Sequence, residues 1–222
     1  GSGGHTIPAI TLYEHLKNNF EIFLTTDKRG AKFINQNKYF FNIINVPHIT
    51  KNFLIIPYNM IVFLLAVLKV IFLIKKNKIK IVISTGGYMS LPICMAAKIL
   101  NCKIFLFEPN MIIGRSNLLF LKKCSKIFCY ANKINNFPEK YNDKLELINP
   151  LLRKEVYKEE KNSNSKFEKK INILIIGGSQ GAEFLQNNLK KNIVELSKNF
   201  EIFVNHQTSS QNYKDLEAFY KE

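Results

Sequence analysis

Three glycine-rich turns give this chain its clearest chemical potential. They lie at residues 1–5 (GSGGH), 86–92 (GGYMSLP) and 177–182 (GGSQGA), each just before a predicted helix. Glycine lets backbone N–H groups converge where a side chain would obstruct them, and the helix dipole adds to their positive field. Such turns bind anions, most often phosphate, although an ordinary strand–helix connection has the same appearance in sequence.

Polar side chains that could hold or transform a substrate follow the predicted strands one after another. Ligands of open α/β sheets bind at the carboxyl ends of the strands. Any single one of these residues could equally be a helix cap or a turn residue. The prediction of a site that faces a cleft therefore rests on polar residues recurring at the end of one strand after another. The residues concerned are His5, Tyr88, Ser90, Glu108, Asn110, Asn149, Arg153, Ser179, Gln180, His206 and Gln207.

Strands that alternate with helices would position these residues. Residues 171–176 (INILII) have the length and β-branched content of a buried strand, and similar runs occur at 79–84 and 103–107. This alternation predicts an α/β fold with a doubly wound parallel sheet in each half of the chain.

The composition divides the chain into two domains. Residues 154–170 are polar and charged without an apolar period, which is typical of an interdomain linker or a long surface loop. Residues 1–153 then form an N-terminal domain, and residues 171–222 begin a C-terminal one. No strand precedes the first turn and the second domain has barely begun at residue 222, so we expect a fragment lacking one strand and most of that domain.

A net charge of +15 over 222 residues favours polyanionic partners. Phosphorylated substrates and an anionic membrane surface both fit this charge. Nucleic acid ranks last, because the sequence contains no arginine-rich run or nucleic-acid motif. The four cysteines include no CxxC pair and are predicted to be reduced, mostly buried thiols of a cytosolic protein; they are Cys94, Cys102, Cys124 and Cys129.

The segment 53–74 is apolar almost throughout, and four lysines follow it within residues 75–80. A transmembrane helix would be barely long enough, and Lys69 within it would cost roughly 2.5–3.5 kcal/mol on insertion scales. A fully buried crossover helix is a second interpretation. A third is a helix that packs one face on the sheet and lays the other on an anionic membrane, where the lysines would contact lipid headgroups.

Six motifs in a fixed order resemble those of the MurG family of glycosyltransferases, glycosyltransferase family 28. They are GSGGH at 1–5, GGYMSLP at 86–92, FEPN at 107–110, NPLLR at 149–153, GGSQGA at 177–182 and HQT at 206–208. The set spans the whole chain. GSGGH alone is shared with other glycosyltransferases, whereas the ordered set is specific.

The resemblance implies a GT-B fold, in which two Rossmann-like domains enclose the site. It implies an inverting transfer of N-acetylglucosamine from UDP-N-acetylglucosamine to the MurNAc 4-hydroxyl of lipid I, giving lipid II for peptidoglycan synthesis, with no cofactor and no catalytic metal. It also implies peripheral attachment to the cytoplasmic face of the bacterial inner membrane, with an anionic membrane surface as partner. The fragment alone is expected to be inactive.

The resemblance assigns roles residue by residue. Backbone N–H groups, helix N-termini and a cation would stabilise the charge that develops on the UDP leaving group. The acceptor diphosphate would lie on the two N-terminal turns. The acceptor-binding residues would be Gly86, Gly87, Tyr88 and Ser90, and the donor-binding residues Ser2, Gly3, Gly4, Asn110, Arg153, Ser179, Gln180 and Gly181.

Inversion requires a base that deprotonates the acceptor hydroxyl as the donor C1 becomes oxocarbenium-like. His5 and Glu108 are the two candidates that the family pattern and the strand-end positions both allow. We favour His5, because a helix N-terminus lowers the proton affinity of a histidine and so suits a neutral base. Hydrogen-bond donation to a diphosphate is an equal alternative role for His5.

The chain departs from the family pattern within these motifs. Phe107 and Pro109 replace the histidine and glutamine usual around the glutamate, and Ile148 replaces a glycine. NPLLR is one residue longer than the common motif, which leaves the register of Arg153 open.

A non-catalytic function is the main alternative: a membrane-anchoring, acceptor-binding subunit of a split glycosyltransferase. The GGSQGA turn within the same chain argues against it, because a split enzyme would carry its second domain on another polypeptide. A lipid glycosyltransferase with a diacylglycerol acceptor is a third possibility, against which the pairing of GGYMSLP with GGSQGA argues.

Overall fold

The chain folds into two compact units, residues 1–159 and 160–222. The computed structural model describes residues 3–47, 53–154, 156–158, 170–177 and 182–221. All strand pairs described in either unit are parallel, and helices connect successive strands. The predicted α/β class with parallel sheets is therefore confirmed.

The first unit begins with a small layer of two strands and two helices. These elements are α1 (Gly3–Leu16), β1 (Leu24–Thr26), α2 (Lys28–Ala31) and β2 (Phe41–Ile43). Strands β1 and β2 pair in parallel, with Leu24 opposite Phe41. Leu24, Ile34 and Tyr39 form the small core of this layer. The glycine turn predicted at the start of the chain is thus, from Gly3 onward, the first turn of α1.

A four-stranded parallel sheet forms the main body of the first unit. Its elements are α3 (Ile56–Lys76), β3 (Ile81–Ser84), α4 (Ser90–Ile99), β4 (Lys103–Glu108), α5 (Arg115–Phe120), β5 (Lys126–Cys129) and β6 (Leu145–Leu147). The strands lie in the order β3-β4-β5-β6, so their carboxyl ends meet at one edge. Leu106, Ile127 and Cys94 are fully buried in the core that this sheet shares with α3 and α4.

The second unit is a strand–helix–strand–helix arrangement. It contains β7 (Lys170–Ile175), α6 (Ala182–Ser197), β8 (Glu201–His206) and α7 (Tyr213–Lys221). Strands β7 and β8 pair in parallel from Lys170 opposite Glu201 to Ile175 opposite His206. Most of the predicted linker 154–170 and the turn at 178–181 lie outside the described residues.

Helix α3 is not the fully buried crossover helix that is one interpretation of its sequence. Four of its residues are buried in the main core: Ala66, Val67, Val70 and Ile74. Large apolar side chains on other faces remain exposed, among them Leu64, Leu68 and Phe72. Within the described part of the chain, α3 is the one helix whose length and apolar composition would allow it to cross a membrane.

All four cysteines are free thiols, as predicted. Cys94, Cys124 and Cys129 are buried and Cys102 is partly buried. Burial raises the pKa of the Cys94 thiol to about 12. Because the thiolate is the reactive form, this side chain serves as a small core residue.

Candidate functional site

The first turn of α1 meets the loop that follows β3. His5 Nδ1 lies 2.8 Å from the carbonyl oxygen of Thr85, and the Thr85 hydroxyl donates to the carbonyl oxygen of His5 at 2.9 Å. A carbonyl oxygen can only accept, so the first of these bonds requires the proton of the neutral ring on Nδ1. The ring then carries its lone pair on Nε2, which is the atom available to take a proton.

Gly86 and Gly87 form the surface against which the His5 ring packs. Both have positive φ, 81° and 79°. A Cβ at position 87 would lie 2.7 Å from the ring, and one at position 86 would lie 3.3 Å from Asn117 Nδ2. The Ser90 hydroxyl closes the turn by donating to the Gly87 carbonyl at 2.7 Å. Position 87 therefore requires glycine for its backbone conformation and also for the space that the imidazole occupies.

This turn presents backbone donors beside the imidazole. The N–H of Gly86 is satisfied by the Ser84 hydroxyl at 3.1 Å. No hydrogen bond within the described ranges uses the N–H of Gly87 or of Tyr88. The first N–H groups of α1, around His5, also have no intrahelical acceptor, as at any helix start. Two sets of N–H donors thus flank His5, an arrangement that suits a phosphate group.

Glu108 ends β4 as a carboxylate that is 3% exposed. Its Oε1 accepts from the Asn110 side-chain amide at 2.9 Å and from the Asn110 N–H at 3.3 Å. Its Oε2 accepts from the Gly114 N–H at 2.8 Å and from Asn117 Nδ2 at 3.0 Å. Four donors match the acceptor capacity of one carboxylate. Glu108 therefore shapes the loop that follows it and fixes the direction of the Asn110 amide.

Asn117 connects Glu108 to the glycine turn. It is 1% exposed, and besides its bond to Glu108 its Nδ2 donates to the Phe107 carbonyl at 3.3 Å. The same nitrogen lies next to Gly86, where an added Cβ would be 3.3 Å from it and 3.5 Å from the ring of His5. Packing and hydrogen bonds therefore link the two predicted base candidates within one unit.

Sequence reasoning did not single out Thr85 or Asn117. Thr85 stands directly before the two glycines, where a hydroxyl has no distinguishing pattern. Asn117 lies nine residues after Glu108 on a different element. What distinguishes Asn117 is that its amide is buried, and burial is visible only in the structure.

Among the residues that the structure describes, the others predicted to bind substrates lie outside the cluster of hydrogen bonds around His5 and Glu108, except for Asn110. Asn110 and Arg153 are exposed, and Arg153 forms no ion pair with any residue that the structure describes. Tyr88 is half-buried, and burial raises its pKa. No described hydrogen bond joins Arg153 to His5 or Glu108. Four donor-binding candidates lie outside the described residues: Ser2, Ser179, Gln180 and Gly181.

The second unit brings the end of β8 next to the glycine turn after β7. The Gln207 side chain accepts the Gly177 N–H at 3.2 Å. The Thr208 hydroxyl donates to the side chain of Gln186 at 2.7 Å, which fixes this segment to α6. His206 Nδ1 lies 3.0 Å from the Tyr220 hydroxyl, and burial lowers the pKa of His206. The HQT motif thus supports the start of the glycine turn.

Parallel strands, crossover helices and glycine turns at strand ends place the chain among the Rossmann-like α/β proteins. Residues 1–129 match the glycosyltransferase family 28 N-terminal domain. The chain therefore belongs to glycosyltransferase family 28.

Curated relatives agree with this family. The chain is 49% identical, over its full length and 62% of the relative, to the "UDP-N-acetylglucosamine--N-acetylmuramyl-(pentapeptide) pyrophosphoryl-undecaprenol N-acetylglucosamine transferase" of Pelagibacter ubique. It is 31% identical to the protein of the same name from Caldicellulosiruptor saccharolyticus, over 90% of this chain and 55% of that protein. The chain thus spans little more than half the length of these relatives.

Solved structures show the same fold. MurG of Acinetobacter baumannii matches with a TM-score of 0.72 and 21% identity, over 100% of this chain and 60% of that one. The UDP-GlcNAc 2-epimerase of Methanocaldococcus jannaschii matches with a TM-score of 0.64 and 12% identity, over 97% and 66%. At these identities the likeness shows the fold alone.

Proposed function

We propose that the protein carrying this chain transfers N-acetylglucosamine from UDP-N-acetylglucosamine to the MurNAc 4-hydroxyl of lipid I, giving lipid II. Family membership and a 49% identical relative with a transferase name support the reaction class. The observation that carries the proposal is His5, whose Nδ1 is bonded to the Thr85 carbonyl so that Nε2 is left to accept a proton beside free backbone donors.

In the proposed reaction the acceptor hydroxyl attacks C1 of the donor sugar on the face opposite UDP, which inverts the configuration. The bond from C1 to the diphosphate oxygen breaks, and UDP leaves with the electron pair. The hydroxyl proton passes to His5 Nε2, and the resulting imidazolium keeps its bond to the Thr85 carbonyl. This carbonyl has the orienting role that a third group has in catalytic triads.

The charge on departing UDP would be stabilised without a metal. Arg153 is an exposed cation at the end of the first unit, and it is the proposed partner of the diphosphate. Ser2, Gly3 and Gly4 remain proposed donor contacts, as do the three residues of the second glycine turn, Ser179, Gln180 and Gly181. Backbone donors and a guanidinium are the groups that such a charge requires.

Glu108 remains the second candidate for the base. Its four hydrogen bonds favour a positioning role, because its acceptor capacity is occupied by its own loop. Through the bond at 2.9 Å it aims the amide of Asn110, the residue proposed to contact the donor sugar.

Helix α3 supports a peripheral location on the cytoplasmic face of the inner membrane. Leu64, Leu68 and Phe72 are exposed at intervals of four residues, which places them on one face. Lys75 and Lys76 occupy the last turn of the helix. An apolar face with adjacent lysines is the pattern of a helix that lies on an anionic membrane, near a lipid-linked acceptor.

The proposal is tested on the complete reading frame that contains this chain, with labelled UDP-N-acetylglucosamine and a short-chain lipid I analogue. We expect transfer by the parent and a fall in kcat of about 10²- to 10⁴-fold in His5→Ala, with the donor KM little changed. Lys17→Ala is the control, because Lys17 lies just beyond the other end of α1 and its side chain pairs with Glu14. A parent that neither transfers sugar nor binds the donor would favour the acceptor-binding subunit instead.

A further inference from the structure

Arg29 is an oriented cation at the start of α2. Its Nε and Nη2 both donate to Asp27 Oδ2, at 3.1 and 2.9 Å. Asp27 is 4% exposed, and its Oδ1 accepts the Gly30 N–H at 2.8 Å, which prevents the carboxylate from turning away. A guanidinium held along one edge directs its remaining N–H donors along a fixed line.

The Asp27–Arg29 pair persists at neutral pH. Burial alone would raise the pKa of Asp27, but it lies below its usual value, and hydrogen bonds from the Gly30 N–H and the Arg29 guanidinium are among the causes. The carboxylate is therefore ionised throughout the physiological range. Arg29 needs no ligand to be held in place.

Gly30 packs this pair against the first turn of α1. A Cβ at position 30 would overlap the Thr26 hydroxyl and would lie 2.7 Å from the hydroxyl of Thr6. Thr6 directly follows His5 in the helix. The loop that carries Arg29 therefore lies beside the turn that carries the proposed base.

The glycine turn after β3 packs on the same first turn of α1, because Gly87 lies against the ring of His5. The charge of Arg29 partly offsets the rise that burial causes in the pKa of Tyr88. Tyr88 follows Gly87, whose N–H is one of the free donors of the site. Arg29 and the donors of Gly87 and Tyr88 therefore belong to two loops that both pack on the first turn of α1, one through Gly30 and the other through Gly87.

The guanidinium remains accessible to a ligand. The Arg29 side chain is 48% exposed, and its Nη1 has no acceptor in the part of the chain that the structure describes. The pre-oriented guanidinium and the backbone N–H groups of the other loop on this helix turn together provide positive charge, the planar donor geometry of arginine and N–H donors. That combination is suited to a diphosphate.

We propose that Arg29 binds the diphosphate of the lipid-linked acceptor, together with the N–H groups of Gly87 and Tyr88. This inference rests on the proposed function. UDP is the other source of the same chemistry. The acceptor is favoured because Arg29 lies beside the helix turn on which Gly87 packs, and that glycine turn is the one proposed for the acceptor, whereas the proposed partners of the UDP diphosphate are Arg153 and the glycine turn of the second unit.

Arg29→Met and Lys28→Met form a matched pair of variants. Lys28 is the adjacent exposed cation on α2 and has no hydrogen bond or ion pair among the described contacts. In the complete reading frame, Arg29→Met is expected to raise the KM for a short-chain lipid I analogue about ten-fold or more and to leave the donor KM within about two-fold. Lys28→Met should leave both KM values within about two-fold of the parent. Arg29→Lys should have an acceptor KM between those of Arg29→Met and the parent, because lysine keeps the positive charge but lacks the planar set of donors of the guanidinium.

Inorganic pyrophosphate provides a direct probe of the same site. It should inhibit the parent competitively with respect to the acceptor and inhibit Arg29→Met about five-fold less well. In the 222-residue chain, pyrophosphate should shift the Nε–Hε NMR signal of Arg29. Thermal melts of each variant distinguish lost binding from lost folding.

The outcomes separate this inference from the proposed function. Suppose that the parent is active. If Arg29→Met then leaves the acceptor KM unchanged, or Lys28→Met changes it equally, the inference about Arg29 is overturned and the proposed function is not. A rise confined to the donor KM would assign Arg29 to UDP and would overturn the acceptor assignment. A parent without transfer activity counts against the proposed function, and the NMR titration then decides the diphosphate site by itself, with an unshifted Arg29 signal counting against it.

Discussion

His5 and Thr85 lie 80 residues apart in the chain and hold each other through reciprocal hydrogen bonds. His5 Nδ1 donates to the Thr85 carbonyl at 2.8 Å, and the Thr85 hydroxyl donates to the His5 carbonyl at 2.9 Å. The first bond sets the tautomer of the ring, and the second joins the first turn of α1 to the end of β3. Thr85 can therefore affect the proposed base without contacting a substrate.

Thr85→Val should separate the effect on the tautomer of His5 from the effect of joining α1 to the end of β3. The substitution keeps the shape and the carbonyl that fixes the tautomer, but it removes the donor to the His5 carbonyl. Loss of that bond is expected to lower the free energy of unfolding by about 1 kcal/mol and kcat by several-fold. Denaturant titration and steady-state kinetics measure the two quantities. Thr85→Ser keeps the hydroxyl and is the control; a Val variant equal to the parent in both measurements would show that the bond is dispensable.

Gly87→Ala should displace the imidazole. Its methyl group would lie 2.7 Å from the His5 ring, at a residue whose φ is 79°. We expect a fall in kcat of about 10²-fold or more, because a base that has moved by about 1 Å loses its alignment. The double variant Gly87→Ala/His5→Ala tests the cause. The three atoms nearest to the methyl group all belong to the His5 ring, so in the absence of that ring Gly87→Ala should reduce activity little further. Fully additive effects of the two substitutions would contradict this explanation.

Glu108→Gln should distinguish a base from a positioning residue. The amide has the same shape, but its NH₂ group must face a donor at one of the two positions now occupied by carboxylate oxygens. We expect a kcat about ten-fold lower, a raised KM for UDP-N-acetylglucosamine through Asn110, and an unchanged pH profile of kcat. A loss of about 10³-fold in kcat with a normal donor KM would instead identify Glu108 as the base.

Most helices and strands, and the glycine turn at Gly86–Gly87, could be predicted from the sequence because their signals are local. The run before Gly177 and the helix from Ala182 onward are examples, as are the strands around Ile83 and Leu106. The ends of strands are harder to predict from the sequence. Strand β2 covers Phe41–Ile43, whereas residues 40–46 are apolar enough to suggest a longer strand.

The partners of the site residues could not be predicted, because they come from other elements. Glu108 looks in sequence like any carboxylate at a strand end. Its function in the structure depends on Gly114 and Asn117, which the chain brings back to it. Helix α3 presents the same difficulty: nearly all of its residues are apolar, so periodicity cannot tell the buried face from the exposed one.

Glu14 should make stability depend on pH in the acid range. A hydrogen bond from Lys17, at 2.7 Å, is the main cause that lowers the pKa of Glu14 to about 2. The folded value lies below the unfolded one of 4.5, so this stabilisation is complete above about pH 4.5 and is lost as the pH falls towards 2. After solvent screening of the exposed lysine, about 1 kcal/mol is expected to be lost.

Urea denaturation at pH 6 and pH 3 would measure the contribution of Glu14. Glu14→Gln cannot titrate, so its stability should fall less over this interval than that of the parent. Glu195→Gln is a control, because Glu195 is exposed and its ion pair among the described residues is with the exposed Lys198, at 3.6 Å. An equal fall in Glu14→Gln and the parent would assign the acid sensitivity to other groups.

The exposed face of α3 should bind the 222-residue chain to anionic vesicles. Leu64, Leu68 and Phe72 are 54%, 59% and 67% exposed and share one face, opposite the buried Val70. Their triple replacement by serine should weaken flotation with phosphatidylglycerol vesicles about ten-fold or more, since a large apolar side chain withdrawn from water contributes about 1.5–3 kcal/mol. Added salt should weaken binding of the parent further, because the lysines that follow act electrostatically.

A triple serine variant outside α3 controls for the loss of apolar surface in general. Phe40, Ile99 and Leu119 are 86%, 56% and 70% exposed and do not belong to the helix. If the face of α3 is the contact, this control variant floats like the parent while the α3 variant stays in the dense fraction. Equal flotation of the α3 variant and the parent would mean that these side chains do not contact lipid. Equal weakening of both triple variants would mean that the chain binds vesicles without using one face.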